Sequence, residues 1–338
     1  MLHANRFDLI RLCLASGVFA YHLVALASLD VQGPWESGLG VLAELCIQGF
    51  FIVSGALVYG SWERSKSLRD YFGKRVRRLY PAYLVVILVP ALISFLLSGR
   101  GSEVLAYLGA NLIFLNFLEP TLPGLFETNR FTVVNGALWT IKIEVMFYAA
   151  LPLLAWALSK FQRHWITVLS CLALLSYLWS VVIPIWQHPL SAQLARQLPG
   201  QMMYFAAGMA LWRYREAIKV RARSCLFFGL IALAIDLFVL DIHVLQVLGL
   251  AGVVAGLAYL PGPALNAARW GDVSYGVYIV HFPILQALIS LEMFTRYGAL
   301  TASLMAVLLV FGVSYLLWWW VEKPALRRDN HYRMASQD

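Results

Sequence analysis

The sequence predicts an all-α integral membrane protein with about ten transmembrane helices, both termini cytoplasmic, and one interfacial or re-entrant helix on the outer side. Three observations point there. Of the 338 residues, 61% are hydrophobic and only 13% charged, more apolar surface than one water-soluble core can hide. The apolar residues come in runs about as long as a bilayer is thick. The Lys and Arg residues crowd into alternate connecting segments, the pattern of cytoplasmic loops.

Taken in order, the runs fall at 7–29, 39–61, 80–98, 138–158, 165–186, 200–213, 225–241, 242–260, 272–290 and 299–321, the sixth and seventh being short. With the N-terminus inside, the inner segments hold 21 of the 26 Lys and Arg, and the outer loops hold Arg100, Arg130, Arg196 and Arg296. Only Lys142 lies within a span. The net charge of +8 therefore points to membrane lipids as partners and not to nucleic acid. Residues 103–118 (EVLAYLGANLIFLNFL) are apolar, but an eleventh span there would turn every later basic loop outward, hence the interfacial or re-entrant assignment. No repeat or long hydrophilic stretch divides the chain, so 1–338 reads as a single transmembrane domain. Ala25, Leu26 and Ala27 imitate a leader cleavage site, yet ionisable groups in the first run and the even number of spans favour a retained helix. Cys13, Cys46, Cys171 and Cys225 lack metal or disulfide spacing, and no metal is expected.

The first run, "RFDLIRLCLASGVFAYHL", carries Asp8, Arg11 and His22. Eleven positions on a helix put Arg11 and His22 about 20° apart around the axis and about 16 Å apart along it. Arg11 then sits at the inner surface and His22 in the outer half of the span. Glu144, in the fourth run "NGALWTIKIEVMFYAALP", enters from outside and lies about 9 Å deep, in the layer of His22. Ionisable side chains at such depth usually mark a pathway or a reaction, and an imidazole beside a carboxylate suits proton transfer. On the inner side, "WERSKSLRDYFGKRVRRLYPAYL" presents Arg75 and Arg78 on one helical face, a spacing suited to phosphate oxygens. One ligand shape serves both ends: acyl-coenzyme A, with phosphates at the inner gate and a thioester reaching His22. Three function classes stay open on these grounds. They are an acyltransferase, a proton-coupled transporter using His22 and Glu144 as a relay, and a non-catalytic accessory subunit.

The chain resembles the acyltransferase-3 family of multi-spanning bacterial membrane O-acyltransferases. The resemblance rests on "RFDLIRL" followed by "YH", "GFFIVSGAL", "KRVRRLYPAY", "ALWTIKIEVMFY", "GDVSYGVYIVHFP" and "VEKP", in that order. It implies transfer of an acyl group, usually acetyl, from acetyl-CoA (acyl-CoA) to a hydroxyl of an extracytoplasmic glycan, free or lipid-linked, at the bacterial inner membrane. It also implies His22 and Glu144 as catalytic residues and Arg11, Arg75 and Arg78 as the donor-binding set. Ala56 stands where a bulky aromatic is common. The chain ends soon after "VEKP", as in members without a soluble esterase-like domain. His281, Tyr275 and Tyr278 are candidates for lining the channel, and Ser54 and Gly55 for close helix packing. Trp318, Trp319 and Trp320 read as an interfacial aromatic belt.

Overall fold

The computed structural model describes residues 6–240, 243–261 and 271–326. The expected cytoplasmic termini before residue 6 and after residue 326, the basic residue Arg269 and the junction of the seventh and eighth runs at 241–242 lie outside the described residues. Among the described residues the regular structure is entirely helical. The helices are α1 (Phe7–Leu26), α2 (Pro34–Glu63), α3 (Leu68–Ser98), α4 (Gly101–Asn111), α5 (Trp139–Lys160), α6 (Trp165–Ile185) and α7 (Ser191–Ala195). They continue with α8 (Leu198–Arg213), α9 (Arg215–Val220), α10 (Ala222–Ile235), α11 (Val244–Tyr259), α12 (Ser274–Ser290), α13 (Met293–Leu317) and α14 (Lys323–Leu326).

Among the described residues, seven helical stretches are long and apolar enough to cross a membrane, which makes this a multi-pass membrane protein. The sixth, eighth and ninth runs form α8, α11 and α12, of 16, 16 and 17 residues. At 1.5 Å per residue they are about 24–26 Å long, short of a hydrocarbon core about 30 Å thick. The seventh run, expected to be short, gains length because Asp236–Leu240 continues α10 as a π-helix.

Helices α2, α3 and α13 start earlier than their runs, and for the last two the reason is local. The third run begins at 80, but α3 starts at Leu68 because the basic stretch ahead of it is itself capped. Ser67 Oγ accepts from the Asp70 N–H at 3.2 Å, and the Asp70 carboxylate accepts from the Lys66 N–H at 3.1 Å, a pairing that satisfies one donor of the first turn and one just ahead of the helix. Gly298, at φ +79° and ψ 161°, breaks α13, so the regular apolar helix begins at 299 as expected. Helix α4 has 11 residues, about 16 Å, too short to cross. Its last residue, buried Asn111, donates to Tyr107 O at 2.9 Å and to Glu119 O at 2.8 Å, tying the irregular chain that follows back onto the helix.

The contacts divide the chain into two units. One comprises Met1–Arg11, Leu45–Tyr71 and Ile143–Asn266, the other Leu12–Glu44, Phe72–Lys142 and Ala267–Asp338. In the first, α2 and α8 touch through backbone. A Cβ on Gly55 would fall 2.3 Å from Phe205 O, and one on Gly208 would fall 2.0 Å from Ile52 O, so small residues set the approach of these helices. In the second, α12 has twelve of its 17 residues buried, which is the mark of an interior helix and not of an amphipathic surface one.

Prolines inside the helices position both candidate sites. Each removes a backbone donor and leaves the carbonyl four residues earlier without its helical partner. In the first unit, Pro152 strands the carbonyl of Tyr148, and the buried Tyr71 hydroxyl donates to it at 3.1 Å. In the second, Pro283 strands the carbonyl of Ile279, and Asn135 Nδ2 donates to it at 2.8 Å. Asn135 Oδ1 also accepts from the Ala137 N–H at 3.1 Å, capping the short 3-10 turn that leads into α5.

Candidate functional site

In the second unit, α12 carries His281, which is fully buried. Both nitrogens of its ring have polar neighbours. Nδ1 lies 3.0 Å from the Val277 carbonyl, one turn back, and Nε2 lies 2.9 Å from Nδ1 of His22 on α1. The ring centres are 5.0 Å apart, farther than the bonded nitrogens by about a ring's width, so the imidazoles meet edge to edge in a hydrogen bond and do not lie face on face. Apolar and aromatic groups close around the pair. Phe282 presents its ring to His22 at 5.2 Å and 72°, and Phe19 stands 6.0 Å from His281. The Tyr278 hydroxyl is 2.7 Å from Thr140 Oγ1, which anchors the helix turn before His281. His22 itself is half-buried. Sequence reasoning offered His281 and Tyr278 only as channel-lining candidates. The pairing with His22 spans 259 positions, and its one local trace was the Pro283 that disturbs the helix beside it.

The arginines of the RxxR sit on α3 in the same unit. Arg78 is ion-paired through Nη2 with Asp272, and its Nη1 lies 3.7 Å from Glu322 Oε2. The carboxylate side chains are 3% and 1% exposed, and Ser274 Oγ donates to the far oxygen of Asp272 at 2.6 Å. Two segments noticed in the sequence, "GDVS" and "VEKP", thus converge on Arg78, a connection that sequence spacing could not suggest. Arg75 and the neighbouring Lys74 and Arg77 are half-buried. Of the expected aromatic belt, Trp318 is 5% exposed and belongs to the core, while Trp319 and Trp320 are exposed.

Glu144 belongs to the first unit. Its Oε1 accepts from Ser54 Oγ at 2.9 Å and from the Tyr148 hydroxyl at 2.6 Å. Ser54, considered in the sequence for packing, is therefore a partner of this carboxylate, while its neighbour Gly55 does serve packing. Tyr148 is the residue whose carbonyl Tyr71 satisfies, so the proline repair also steadies the helix turn that holds Glu144. Arg11 lies in the first unit and is half-buried on α1, the continuous helix that also carries His22.

The irregular segment after α4 forms a polar cleft of about 480 Å³ within the second unit, lined by Arg100, Glu103, Glu119, Thr121, Glu127 and Thr132 among others. Arg130 pins the same segment, donating to Ala25 O at 2.8 Å near the end of α1 and pairing with Glu36 at 2.9 Å.

Residues 5–322 match the family model of the acyltransferase-3 acyltransferase domain. The chain is 27% identical to an O-acetyl transferase of Shigella phage Sf6, with 98% of each chain covered. It is 25% identical to nodulation protein 10 of Rhizobium leguminosarum bv. viciae, over 96% of this chain and 94% of the relative. With the peptidoglycan O-acetyltransferase OatA of Listeria monocytogenes the identity is 22%, over 80% of this chain and 48% of the relative. No solved structure matches.

Proposed function

Because the chain belongs to the acyltransferase-3 family, we propose that it moves an acyl group, acetyl in the simplest case, from cytosolic acyl-CoA to a hydroxyl of an extracytoplasmic glycan at the bacterial inner membrane. The family and the O-acetyltransferase relatives support acyl transfer, and a relative named for peptidoglycan supports a glycan acceptor. The observation that carries the reading is the imidazole pair His22–His281 joining two predominantly apolar helices. Ionisable groups so placed are costly and serve a reaction or a pathway.

In the proposed step, Arg11, Arg75 and Arg78 bind the donor phosphates, and the thioester reaches His22. The His22 imidazole takes the proton of the acceptor hydroxyl as its oxygen attacks the thioester carbonyl carbon. The C–S bond breaks, the ester remains on the acceptor, and the imidazolium returns the proton to the departing thiolate of coenzyme A. Glu144, its Oε1 held by Ser54 and Tyr148, is the second catalytic residue of this reading, a carboxylate suited to proton transfer. The polar cleft after α4 offers carboxylates, threonines and an arginine, groups that match sugar hydroxyls, and segment 99–137 is where acceptor choice resides. In this reading ten helices cross, with both termini in the cytosol.

Mass spectrometry of surface glycans tests the reading. A strain lacking the gene loses an O-acetyl group, wild type restores it, and His22→Ala does not. Purified wild-type protein binds acetyl-CoA. Unchanged glycans in the deletion strain, or indifference of the purified protein to acetyl-CoA, would overturn the proposal and leave proton-coupled transport as the better account.

A further inference from the structure

We propose that His281 is a positioning residue that fixes the tautomer of His22, holding its proton on Nδ1 so that Nε2 presents a lone pair to the acceptor hydroxyl. The inference rests on the reading of His22 as the base and gives a specific role to His281, which the sequence offered only as a channel-lining candidate.

The argument follows the donors along a chain of three groups. A carbonyl only accepts, so the 3.0 Å contact between His281 Nδ1 and Val277 O requires the hydrogen to be on Nδ1. A neutral imidazole carries one N–H, which leaves Nε2 of His281 as an acceptor. The 2.9 Å contact from that nitrogen to His22 Nδ1 is then a hydrogen bond only if His22 donates, and a neutral His22 must carry its lone pair on Nε2. The reverse arrangement would put a bare Nδ1 of His281 against a carbonyl oxygen, two lone pairs facing each other at a residue with no exposed surface. A doubly protonated His281 would bury a cation on a residue with no exposed surface, which is costly.

The orientation is as constrained as the tautomer. The His281 ring cannot swing without losing the Val277 carbonyl, and its helix turn is tied by the contact of Tyr278 with Thr140 at 2.7 Å and by Asn135 on the Ile279 carbonyl at 2.8 Å. The Tyr278 and Ile279 contacts thus hold the turn of α12 that precedes His281. When His22 gains the substrate proton, its Nδ1–H bond to His281 becomes charge-assisted and shorter. The neutral orienter thereby stabilises the imidazolium without an additional buried charge. It does the work that a carboxylate does in hydrolytic triads.

The test uses full-length protein carrying ring-¹⁵N histidine, with His22→Ala to assign the His22 signals, and compares wild type with His281→Leu and His281→Gln. In wild type the His22 ring shows a protonated Nδ1 and an unprotonated Nε2. Leucine cannot accept, so His281→Leu mixes the tautomers and lowers kcat about 10²-fold, the low end of what a positioned base contributes, while KM for acetyl-CoA stays within about twofold. Glutamine can accept through Oε1, so His281→Gln restores the tautomer and most of kcat, a rescue that a purely structural role for the imidazole would not give. If His281→Leu fails to fold, the wild-type spectrum and the glutamine variant decide the matter. A wild-type His22 protonated on Nε2, or a folded His281→Leu with wild-type kcat and tautomer, overturns the inference. Full transfer by His22→Ala would instead overturn the functional reading on which it rests.

Discussion

Arg78 is the residue whose removal should disturb the second unit most. Its guanidinium faces two carboxylates whose side chains are 3% and 1% exposed, so Arg78→Met leaves two buried negative charges near each other without their shared cation. At the 3.7 Å separation from Glu322, the Coulomb attraction alone is about 4 kcal/mol at an effective dielectric constant of about 20. Breaking a buried ion pair by deleting one partner costs about 3–5 kcal/mol once desolvation is included. At the roughly 2 °C per kcal/mol of a large domain, the unfolding midpoint in detergent should fall by about 6–10 °C. Arg78→Lys should fall between the two, because one ammonium cannot fork toward two carboxylates. The triple variant Arg78→Met/Asp272→Asn/Glu322→Gln should recover most of the loss, since it removes the stranded charges along with their partner. Differential scanning fluorimetry of the purified variants measures this. A midpoint within a degree of wild type for Arg78→Met, or a triple variant no better than the single one, would refute the reasoning.

Arg75→Ala should weaken acetyl-CoA binding about tenfold or more, the loss of a charge-assisted phosphate contact, as read by isothermal titration in detergent. Ser54→Ala and Tyr148→Phe each remove one hydrogen bond from Glu144 Oε1. Bonds to charged groups are worth about 1.5–3 kcal/mol, so each variant should lower kcat about 10- to 100-fold if that carboxylate acts in transfer, and the double variant less than the product of the two. Gly55→Val would drive its Cβ to 2.3 Å from Phe205 O. Backbone cannot yield as a flexible side chain can, so little folded protein should survive size-exclusion chromatography. Asn135→Leu leaves the Ile279 carbonyl without the donor that replaces Pro283, a loss of about 1–3 kcal/mol that thermal unfolding should register together with a fall in kcat.

The helices were legible because their signals are local. Long apolar runs announced α1, α2, α5 and α6, and the positive φ of Gly298 separates the expected tenth run from the turn before it. The early start of α3 was also local, written in Ser67 and Asp70, but a hydropathy window passes over a capped basic turn. The identities of His22, Glu144, Arg75 and Arg78 stood out because each is an ionisable group within or beside an apolar run. Their partners did not stand out. Asp272 is 194 positions from Arg78, and Ser54 is 90 positions from Glu144. A serine in a helix or an aspartate in a turn looks the same in sequence whether or not it meets a charge.

Composition and charge placement alone determined that this chain is a helical, multi-pass membrane protein and which of its side chains are chemically unusual there, because burial in lipid penalises polar groups wherever they lie along the chain. Only the tertiary structure decided what those side chains touch. It brought a histidine of α12 against the histidine of α1, gave Arg78 two carboxylates, and used Asn135 and Tyr71 to fill the gaps left by prolines. A hydrogen bond depends on distances of a few tenths of an ångström between atoms from remote segments, and those distances are set by how whole helices pack.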